Sequence, residues 1–448
     1  MIPVVARAGD SGMSAREAAA KERLLDLAER ALPSGDGAAH RVAFFVPGRI
    51  EVLGKHTDYA GGRSLLCAVE RGFCIVARAR QDGRVTVANA ESGERAEWNW
   101  NADVRPVVGH WSNYPATVVR RVARNFPGVT VGADVAFASD LPPASGMSSS
   151  SAFMIGIFLA LADLGGLAGL DDFRSAISGR ESLAGYLATI ENGRSFGPLA
   201  GDTGVGTFGG SEDHTAILCC KASTLSQYRF GPVHFERDIS VPAGQVFVVA
   251  FSGVLAEKTA AAMATYNRAS LAAARVLGIW RQARGRAVET LEAAVAAGSG
   301  AADDIRQAIA ASRDEEFGVD LLRKRFDQFV MESRQILPDA GDALAAGDLA
   351  KFGALVDRSQ RAAEEWLGNQ VPQTEALARS ARSLGAVAAS AFGAGFGGSV
   401  WALVSRSESE RFVRDWSGSY ARSHPDAASR ARFFETSAGT AAVKILRS

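Results

Sequence analysis

The sequence predicts a two-domain α+β protein, with a mixed α/β N-terminal domain and a helix-rich α/β C-terminal domain. Its length of 448 residues is more than one hydrophobic core usually fills. The first half mixes short strand patterns with helices, whereas the second half opens with one apolar strand and then becomes strongly helical. We place the domains at 1–225, with a helical extension over 1–40, and at 226–448, and we expect the functional site in the cleft between them.

Composition and periodicity predict the elements of the first half. Ser14 to Leu32 is rich in Ala, Glu, Arg and Leu and is predicted as an amphipathic helix, and Ser148 to Leu164 is predicted as a buried helix. Val42 to Val46 is a short apolar strand, and Val129 to Ala138 alternates as another.

Two further predictions concern strands beside turns. The Asp82-Gly83 pair predicts a turn that joins Phe73–Arg80 and Arg84–Ala88 in a hairpin. His214 to Cys220 is predicted as a strand that leaves a glycine-rich loop.

The second half begins with Gln245 to Phe251, whose almost purely apolar run is typical of a central strand. Strands are also predicted at Val400–Val404 and over Phe434–Arg447. Between them, apolar residues recur at helical spacing and predict one apolar helix face, formed by Ile305, Ile309, Phe317, Leu321, Leu322, Phe326, Phe329 and Val330.

Charge and composition exclude several classes of protein. Lys and Arg number 49, equal to Asp and Glu, and no basic run suggests a nucleic-acid partner. The longest apolar run, Phe153 to Ala162, is too short to span a bilayer, and the start of the chain lacks the pattern of a secretory signal. We therefore expect a cytoplasmic protein without a membrane partner. The cysteines, at 67, 74, 219 and 220, are expected to be buried free thiols.

Two glycine clusters match the GxGxxG pattern, one at Gly204, Gly206 and Gly209 and one at Gly393, Gly395 and Gly398. A dinucleotide fingerprint must leave a strand and open a helix, and both matches are predicted to run into strands. A nicotinamide or flavin enzyme is therefore a distant alternative. The Gly54-Lys55 pair is followed by His56 rather than Ser or Thr, which excludes the phosphate loop of nucleoside triphosphatases.

One segment has the composition of a phosphate site. Pro142 to Ser151 holds a glycine and a row of serines and runs into the apolar helix. Backbone N–H groups at a helix start, backed by the helix dipole, bind anions. The alternative is a plain serine-rich N-cap.

A second segment, Val46 to Gly62, gathers Arg, Glu, Lys, His, Asp and Tyr between a strand and a glycine pair. Converging polar groups suit a ligand rich in hydroxyl groups, because each hydroxyl needs a partner that replaces water. The alternative is a solvated turn.

Taken in order, three segments resemble the GHMP small-molecule kinases, and among them the galactokinases. PGRIEVLGKHTDYAGG resembles the galactokinase signature, PPASGMSSSSAF the phosphate-loop motif and SAFGAGFGGSV the third, glycine-rich motif. The resemblance implies a GHMP kinase-like two-domain fold. It also implies transfer of phosphate from ATP, with Mg²⁺ as cofactor, to a monosaccharide, expected at the anomeric hydroxyl of galactose. It leaves open whether the chain is a monomer or a homodimer.

The resemblance also implies roles for individual residues. It makes Asp213 the catalytic carboxylate, with Arg49 beside it to keep it ionised and to stabilise developing charge. Whether Asp213 accepts the proton of the sugar hydroxyl or only orients it stays open. Glu212 next to it is the alternative carboxylate, and Asp213 is favoured. The phosphates would be held by Gly146, Ser148, Ser149, Ser150 and Ser151, the metal by Ser150 and Glu191, and the sugar by Lys55, His56, Asp58 and Tyr266.

The sequence departs from the galactokinase pattern in two places. Lys55 stands where galactokinases carry a Glu that holds a sugar hydroxyl, so a related aldose or a sugar acid (galacturonate, arabinose or heptose) is an alternative substrate. The PLAGDTGVGTF segment lengthens the loop before Asp213 and forms either a lid or a detour. A non-catalytic sensor of sugar and ATP is the alternative of a different class.

Overall fold

The computed structural model describes residues 5–6, 13–34, 39–255, 260–285 and 287–447, with the side chains of 5–6 and 260–266 left out. Its strands are β1 Val5–Ala6, β2 Arg41–Leu53, β3 Arg63–Arg80, β4 Arg84–Asn89, β5 Arg95–Asn99, β6 Gly132–Ser139, β7 Thr224–Arg229, β8 His234–Ser240, β9 Gln245–Phe251, β10 Ala388–Phe392, β11 Ser399–Ser405, β12 Arg432–Thr436, β13 Ala438–Gly439 and β14 Val443–Ile445.

The helices are α1 Ala15–Ala31, α2 Asn113–Asn125, α3 Ser149–Leu164, α4 Asp171–Ala176, α5 Arg180–Asn192, α6 Glu212–Cys219, α7 Ala260–Arg284, α8 Leu291–Val295, α9 Ala301–Ala311, α10 Val319–Met331, α11 Leu337–Ala345, α12 Leu349–Ala362, α13 Pro372–Ser383, α14 Ser409–Ser423 and α15 Pro425–Ala428. Single turns of π-helix extend α10 and α12. Within the described ranges, no helix has the length and apolar character needed to cross a membrane.

The strands form two sheets. The first has the order β1-β14-β2-β3-β6-β4-β5, with β7 and β13 also paired to β3, and β8 paired to β7. The second is antiparallel, with the order β10-β11-β9-β12. The predicted boundary at residue 225 stays a prediction, and the pairing joins β7, β8, β13 and β14 to the first sheet.

Helices cover these sheets and bury their apolar residues. Helix α3 packs on β2 and β3 within the largest core cluster, and α1 packs on the opposite face of the sheet. The second sheet buries a separate cluster with α13 and α14, and α7, α9 and α10 share another. The predicted α+β fold class is confirmed, and so are the helices at 14–32 and 148–164 and the strands at 129–138, 245–251 and 400–404.

Helix α1 is tied to the sheet by a buried ion pair. The ammonium of Lys21, which is fully buried, bonds the carboxylates of Glu17 and Asp140. Asp140 also accepts a hydrogen bond from the backbone N–H of Gly72 at 2.8 Å, and it lies directly before the segment that was predicted to bind phosphate. Helix α1, which lies within the predicted extension, is thus packed against the sheet.

The hairpin prediction was wrong, because β6 lies between β3 and β4. The Asp82-Gly83 turn does reverse the chain, but the apolar strand β6 inserts between the two arms. Its Asp134 carboxylate accepts hydrogen bonds from Arg78, at 2.7 Å, and from Thr86, at 2.8 Å. One acid thereby bridges both arms.

The strand prediction for 214–220 was also wrong, because residues 214–219 belong to helix α6 and Cys220 is its C-cap. Almost every residue of α6 is buried, so its sequence shows no helical stripe and cannot be told from a buried strand. The Asp58 carboxylate accepts a hydrogen bond from the backbone N–H of Glu212 at 3.1 Å, where a negative charge favours a helix start.

Three other predictions need smaller corrections. Strand β2 does not end at Val46 but continues to Leu53 through a register shift beside Pro47. The apolar stripe after 305 lies on two helices, α9 and α10, whose apolar residues still share one cluster. The strand predicted over 434–447 is divided among β12, β13 and β14. All four cysteines are buried and free, as predicted.

The packing of α3 gives the first prediction. A Cβ at Gly156 would lie 2.1 Å from Ile75 Cδ1 and 3.2 Å from Val46 Cγ2, so this helix approaches the sheet too closely for a large side chain. Gly156→Leu should lower the free energy of unfolding by about 1–3 kcal/mol, because overpacking displaces the core. Denaturant unfolding measures the loss. The control is Gly278→Leu on α7, where a Cβ meets nothing within 4 Å, and an equal loss in both variants would contradict the prediction.

Candidate active site

Arg49 on strand β2 joins two of the segments that the sequence singled out. Its Nε donates to Asp213 Oδ1 at 2.8 Å, and its Nη2 lies 2.8 Å from the same oxygen. Its Nη1 donates to the carbonyl oxygen of Gly146 at 2.6 Å. The predicted catalytic pair therefore meets, and the phosphate-loop segment lies against it.

Charge balance keeps this guanidinium ionised. Burial by itself would lower the pKa of Arg49, but the carboxylates of Asp213, Glu212 and Glu51 outweigh burial, and the pKa lies above its ordinary value. A permanent positive charge is thus held beside Asp213, where it favours the ionised carboxylate.

The predicted phosphate loop has an unusual backbone. Ala144, Gly146 and Ser148 all have positive φ angles, of 48°, 77° and 57°, and α3 begins directly after them. Ser148 occupies the N-cap position, but its side chain makes no capping hydrogen bond, and its buried Oγ has no partner among the described residues. The alternative of a plain serine N-cap is therefore not realised. Open N–H groups and an unused hydroxyl at a helix start are suited to an anion.

The third of the motif segments, which is rich in glycine, packs against this loop. Ser399 Oγ donates to the carbonyl oxygen of Ser145 at 2.7 Å, and a Cβ at Gly393 would lie 2.6 Å from the carbonyl oxygen of Gly146. Gly393 also has a φ of 79°, so both space and conformation require glycine there. The three segments that carry the family resemblance are in direct contact.

The two neighbouring carboxyl groups at the start of α6 differ in their surroundings. Glu212 is buried and accepts a hydrogen bond from Ser64 Oγ at 2.5 Å, and burial raises its pKa well above the ordinary range. The side chain of Asp213 is 28% exposed and pairs with Arg49. The geometry favours Asp213 as the carboxylate that reaches a ligand.

His56 and Asp58 lie on the wall of the same cavity. His56 Nδ1 is 3.0 Å from Tyr59 Oη, and its Nε2 is 3.2 Å from the carbonyl oxygen of Ala394. Burial and the nearby Arg325 lower the pKa of His56 to about 4, so the ring is neutral near neutral pH. Burial raises the pKa of Asp58 to about 6, although hydrogen bonds from the backbone N–H groups of Glu212 and Tyr59 oppose the shift.

Lys55 is not on this wall. It is only 2% exposed, and its ammonium donates to Ser390 Oγ at 2.6 Å and to Ser359 Oγ at 3.3 Å. Ser359 Oγ in turn donates to Glu332 Oε1 at 2.9 Å. Lys55 thus fastens the signature segment to the C-terminal half, and its predicted contact with the sugar stays a prediction. The expectation for Tyr266 concerns a side chain outside those that the structure describes.

The predicted metal ligands lie at the other end of the phosphate loop. Ser150 and Glu191 both line the cavity, whereas Ser151 is fully buried and donates to Glu191 Oε2 at 2.7 Å. In the described part of the chain, no three His, Cys, Asp or Glu side chains gather as a metal cage. Mg²⁺ at kinase sites needs only one or two protein ligands, because phosphates and water supply the rest. A serine hydroxyl and a carboxylate fit that requirement.

The long loop between Glu191 and Asp213 is a detour fastened to helix α2. Arg120 Nε lies 3.0 Å from Asp202 Oδ2, Arg121 donates to the carbonyl oxygen of Arg194 at 2.8 Å, and Asn125 donates to that of Ala200 at 3.1 Å. Its Gly204 match to GxGxxG leads into helix α6, contrary to the prediction. That match still follows helix α5 rather than a strand, so the context of a dinucleotide fingerprint is missing.

These groups share one cavity of about 880 Å³, which is a size that encloses small-molecule ligands. Sequence reasoning counted Glu51 among the converging polar groups of its segment but gave it no role of its own, and it missed an aromatic group on the wall formed by Trp111, Tyr114, Phe137 and Phe153. Glu51 lies inside the signature segment, two residues from Arg49 on the same strand. Because residues two apart on a strand face the same side, this spacing could have indicated that Glu51 shares the cavity wall with Arg49. The aromatic residues come from separate elements, and no local pattern links them.

Comparison with known proteins points to the same family as the sequence resemblance. The galactokinase galactose-binding signature matches residues 36–79, the N terminal domain of GHMP kinases matches 113–197 and the C terminal domain matches 342–422. Galactokinase from Roseiflexus sp. is 29% identical over 84% of this chain and 86% of its own length. Galactokinase from Actinobacillus pleuropneumoniae is 26% identical over 85% and 89%.

Solved structures extend the likeness to the fold. The crystal structure of Lactococcus lactis galactokinase complexed with galactose superposes with a TM-score of 0.74 at 22% identity, covering 95% of this chain and 98% of that one. The fold is that of the GHMP kinases, and the N and C terminal domain models of that family both match segments of this chain. The chain also carries the galactokinase signature, and galactokinases are among its sequence relatives. The roles of individual site residues stay predictions.

The position of Lys55 gives the second prediction. Lys55→Glu places a further carboxylate beside Glu51 and Glu332 and removes the donor to two buried serines, so the free energy of unfolding should fall by about 3–5 kcal/mol. Thermal and denaturant unfolding measure the loss. Lys55→Met, which removes the charge but keeps most of the volume, is the milder control. A fully stable Lys55→Glu variant with altered sugar preference would contradict this interpretation.

The third prediction concerns pH. Burial raises the pKa of Glu51 from its ordinary value of 4.5 to about 7, despite the nearby Lys55 and Arg49. In this interval the folded protein binds more protons at Glu51 than the unfolded chain does, so this group makes stability fall as pH rises from about 4.5 to about 7. Glu51→Gln should flatten the fall, measured as the free energy of unfolding at both ends of the interval. An unchanged slope would contradict the assigned direction.

Proposed function

We propose that this chain is an ATP-dependent sugar kinase that transfers the γ-phosphoryl group to the anomeric hydroxyl of galactose. The observation that carries the proposal is the contact of Arg49 with both Asp213 and Gly146, because it brings a carboxylate, a fixed positive charge and a helix N-terminus into one cavity. The galactokinase relatives and the match to the galactose-binding signature support galactose as the substrate.

Phosphoryl transfer needs mainly positioning and neutralisation of charge, and this cavity offers both. The N–H groups at the start of α3 face the phosphates, and Asp213 accepts or orients the proton of the attacking hydroxyl. Arg49 keeps that carboxylate ionised and stabilises charge that develops on the transferred group. His56 and Asp58 hold the sugar.

We include Mg²⁺ in the proposal, held by Ser150 and Glu191 together with the phosphates. When bound, the ion neutralises phosphate charge. Ser151 fixes the Glu191 carboxylate through its 2.7 Å hydrogen bond, so its role is to orient that acid rather than to bind phosphate.

The fourth prediction tests the reaction. Asp213→Asn should lower kcat for galactose by about 10²- to 10⁴-fold, since the amide cannot accept a proton, while ATP binding persists. ADP release with a panel of sugars measures kcat, and calorimetry measures ATP binding.

The matched control is Glu212→Gln, which changes the adjacent acid that faces Ser64, and it should affect stability more than kcat. A larger loss in kcat from Glu212→Gln would reverse the choice between the two acids. Absence of ADP with every sugar, despite measurable binding, would refute the kinase and favour a sensor of sugar and ATP. Turnover of galacturonate, arabinose or heptose in preference to galactose would refute the assigned substrate.

A further inference from the structure

Glu51 occupies an unusual position on strand β2. Residues 49 and 51 pair with Ala68 and Leu66 of β3 without a register shift between them, so their side chains share one face of the sheet. That face is the cavity wall, where Arg49 and Glu51 both appear. Glu51 therefore points into the same space as the catalytic pair.

The two carboxylate oxygens of Glu51 are not equally satisfied. Oε2 accepts a hydrogen bond from the backbone N–H of Gly393 at 3.3 Å. Oε1 is buried and has no hydrogen-bond partner among the described residues, although the whole residue is only 3% exposed. Buried polar atoms are normally paired, so an acceptor without a partner on a residue that lines the cavity points to a ligand group that completes it.

The charges around Glu51 are compatible with a ligand hydroxyl bound at its carboxyl group. Arg49 on the same strand and Lys55 in the following turn favour its ionised form, whereas Glu332 opposes it. Lys55 is held by Ser359 and Ser390. With a pKa of about 7, the carboxyl group is present in both forms near neutral pH and can accept a hydrogen bond from a hydroxyl in either form.

We propose that Glu51 Oε1 binds a non-reacting hydroxyl of the sugar and so determines which arrangement of hydroxyl groups the site selects. The inference rests on the proposed sugar kinase function, and it assigns to Glu51 a contact with the substrate rather than a part in the transfer step. A site built to pair with a hydroxyl discriminates strongly against analogues that lack it, because the protein group is then left without a partner.

Glu332 provides a matched control within the same cluster. It is also fully buried, and its Oε2 also lacks a partner among the described residues. Its Oε1 accepts hydrogen bonds from the backbone N–H of Gly54 at 2.8 Å and from Ser359. Glu332 does not line the cavity, so an unpaired oxygen there has no access to the sugar.

The experiment compares Glu51→Ala, Glu51→Gln and Glu332→Gln with galactose and its 2-deoxy, 4-deoxy and 6-deoxy analogues. Activity is followed by ADP release, and sugar affinity is measured separately by calorimetry with a non-hydrolysable ATP analogue present. Glu51→Ala should lower kcat/KM for galactose by about 10- to 100-fold, mainly through KM. The loss should vanish for the one analogue that lacks the bound hydroxyl. Glu51→Gln, which keeps the side-chain volume, should give a smaller loss with the same pattern.

Equal losses for every analogue, or no loss for any, would overturn the assignment of Glu51. A change in analogue preference caused by Glu332→Gln would do the same, because that residue should alter stability alone. If the wild type binds galactose but phosphorylates no sugar, the proposed kinase function is refuted. The sugar affinities of the variants then still test whether Glu51 binds a hydroxyl. If no sugar binds to the wild type, both proposals fail.

Discussion

The contact of Arg49 with Asp213 and Gly146 is the constraint on which the rest of the site depends. One guanidinium bonds a side chain from the start of α6 and a carbonyl oxygen from the loop before α3, while it is itself anchored in strand β2. Its planar arrangement of donors allows contacts in several directions at once, which an ammonium group does not offer. The relative positions of three chain segments, separated by as many as 164 residues, follow from this side chain.

Tight backbone packing surrounds that contact. The loop before α3 has several positive φ angles and is braced by Ser399 and by Gly393, whose missing Cβ leaves room for the carbonyl oxygen of Gly146. A conformation of this kind costs free energy and persists where neighbouring segments hold it in place. The glycine-rich third segment therefore contributes by its lack of side chains, which leaves room for the predicted phosphate loop. It does not itself form a nucleotide fingerprint.

Sequence alone predicted much of the fold and the centre of the site, because those features have local patterns or fixed motif spacing. The serine row was found from its composition at a helix start, and the pairing of Arg49 with Asp213 through the resemblance; the structure brings them together around one cavity. The errors have physical causes. Helix α6 is buried at every residue except Asp213 and shows no period, and β6 enters between β3 and β4 through long-range pairing that a local turn signal cannot reveal. The assignment of Lys55 to the sugar stays a prediction, and local sequence could not show that its long side chain reaches serines more than 300 residues further along the chain.

The ion pair between the buried Lys21 and the partly exposed Asp140 links helix α1 to the cavity wall. Asp140 lies on the cavity wall, next to the residues that lead into the phosphate loop, and the cation that neutralises it comes from α1. Without that helix, an acid near the expected path of the polyanionic nucleotide would lose its counter-ion and repel it. The first helix therefore supplies the positive charge that neutralises an acid on the cavity wall, and a chain shortened to begin at β2 would leave that acid without it.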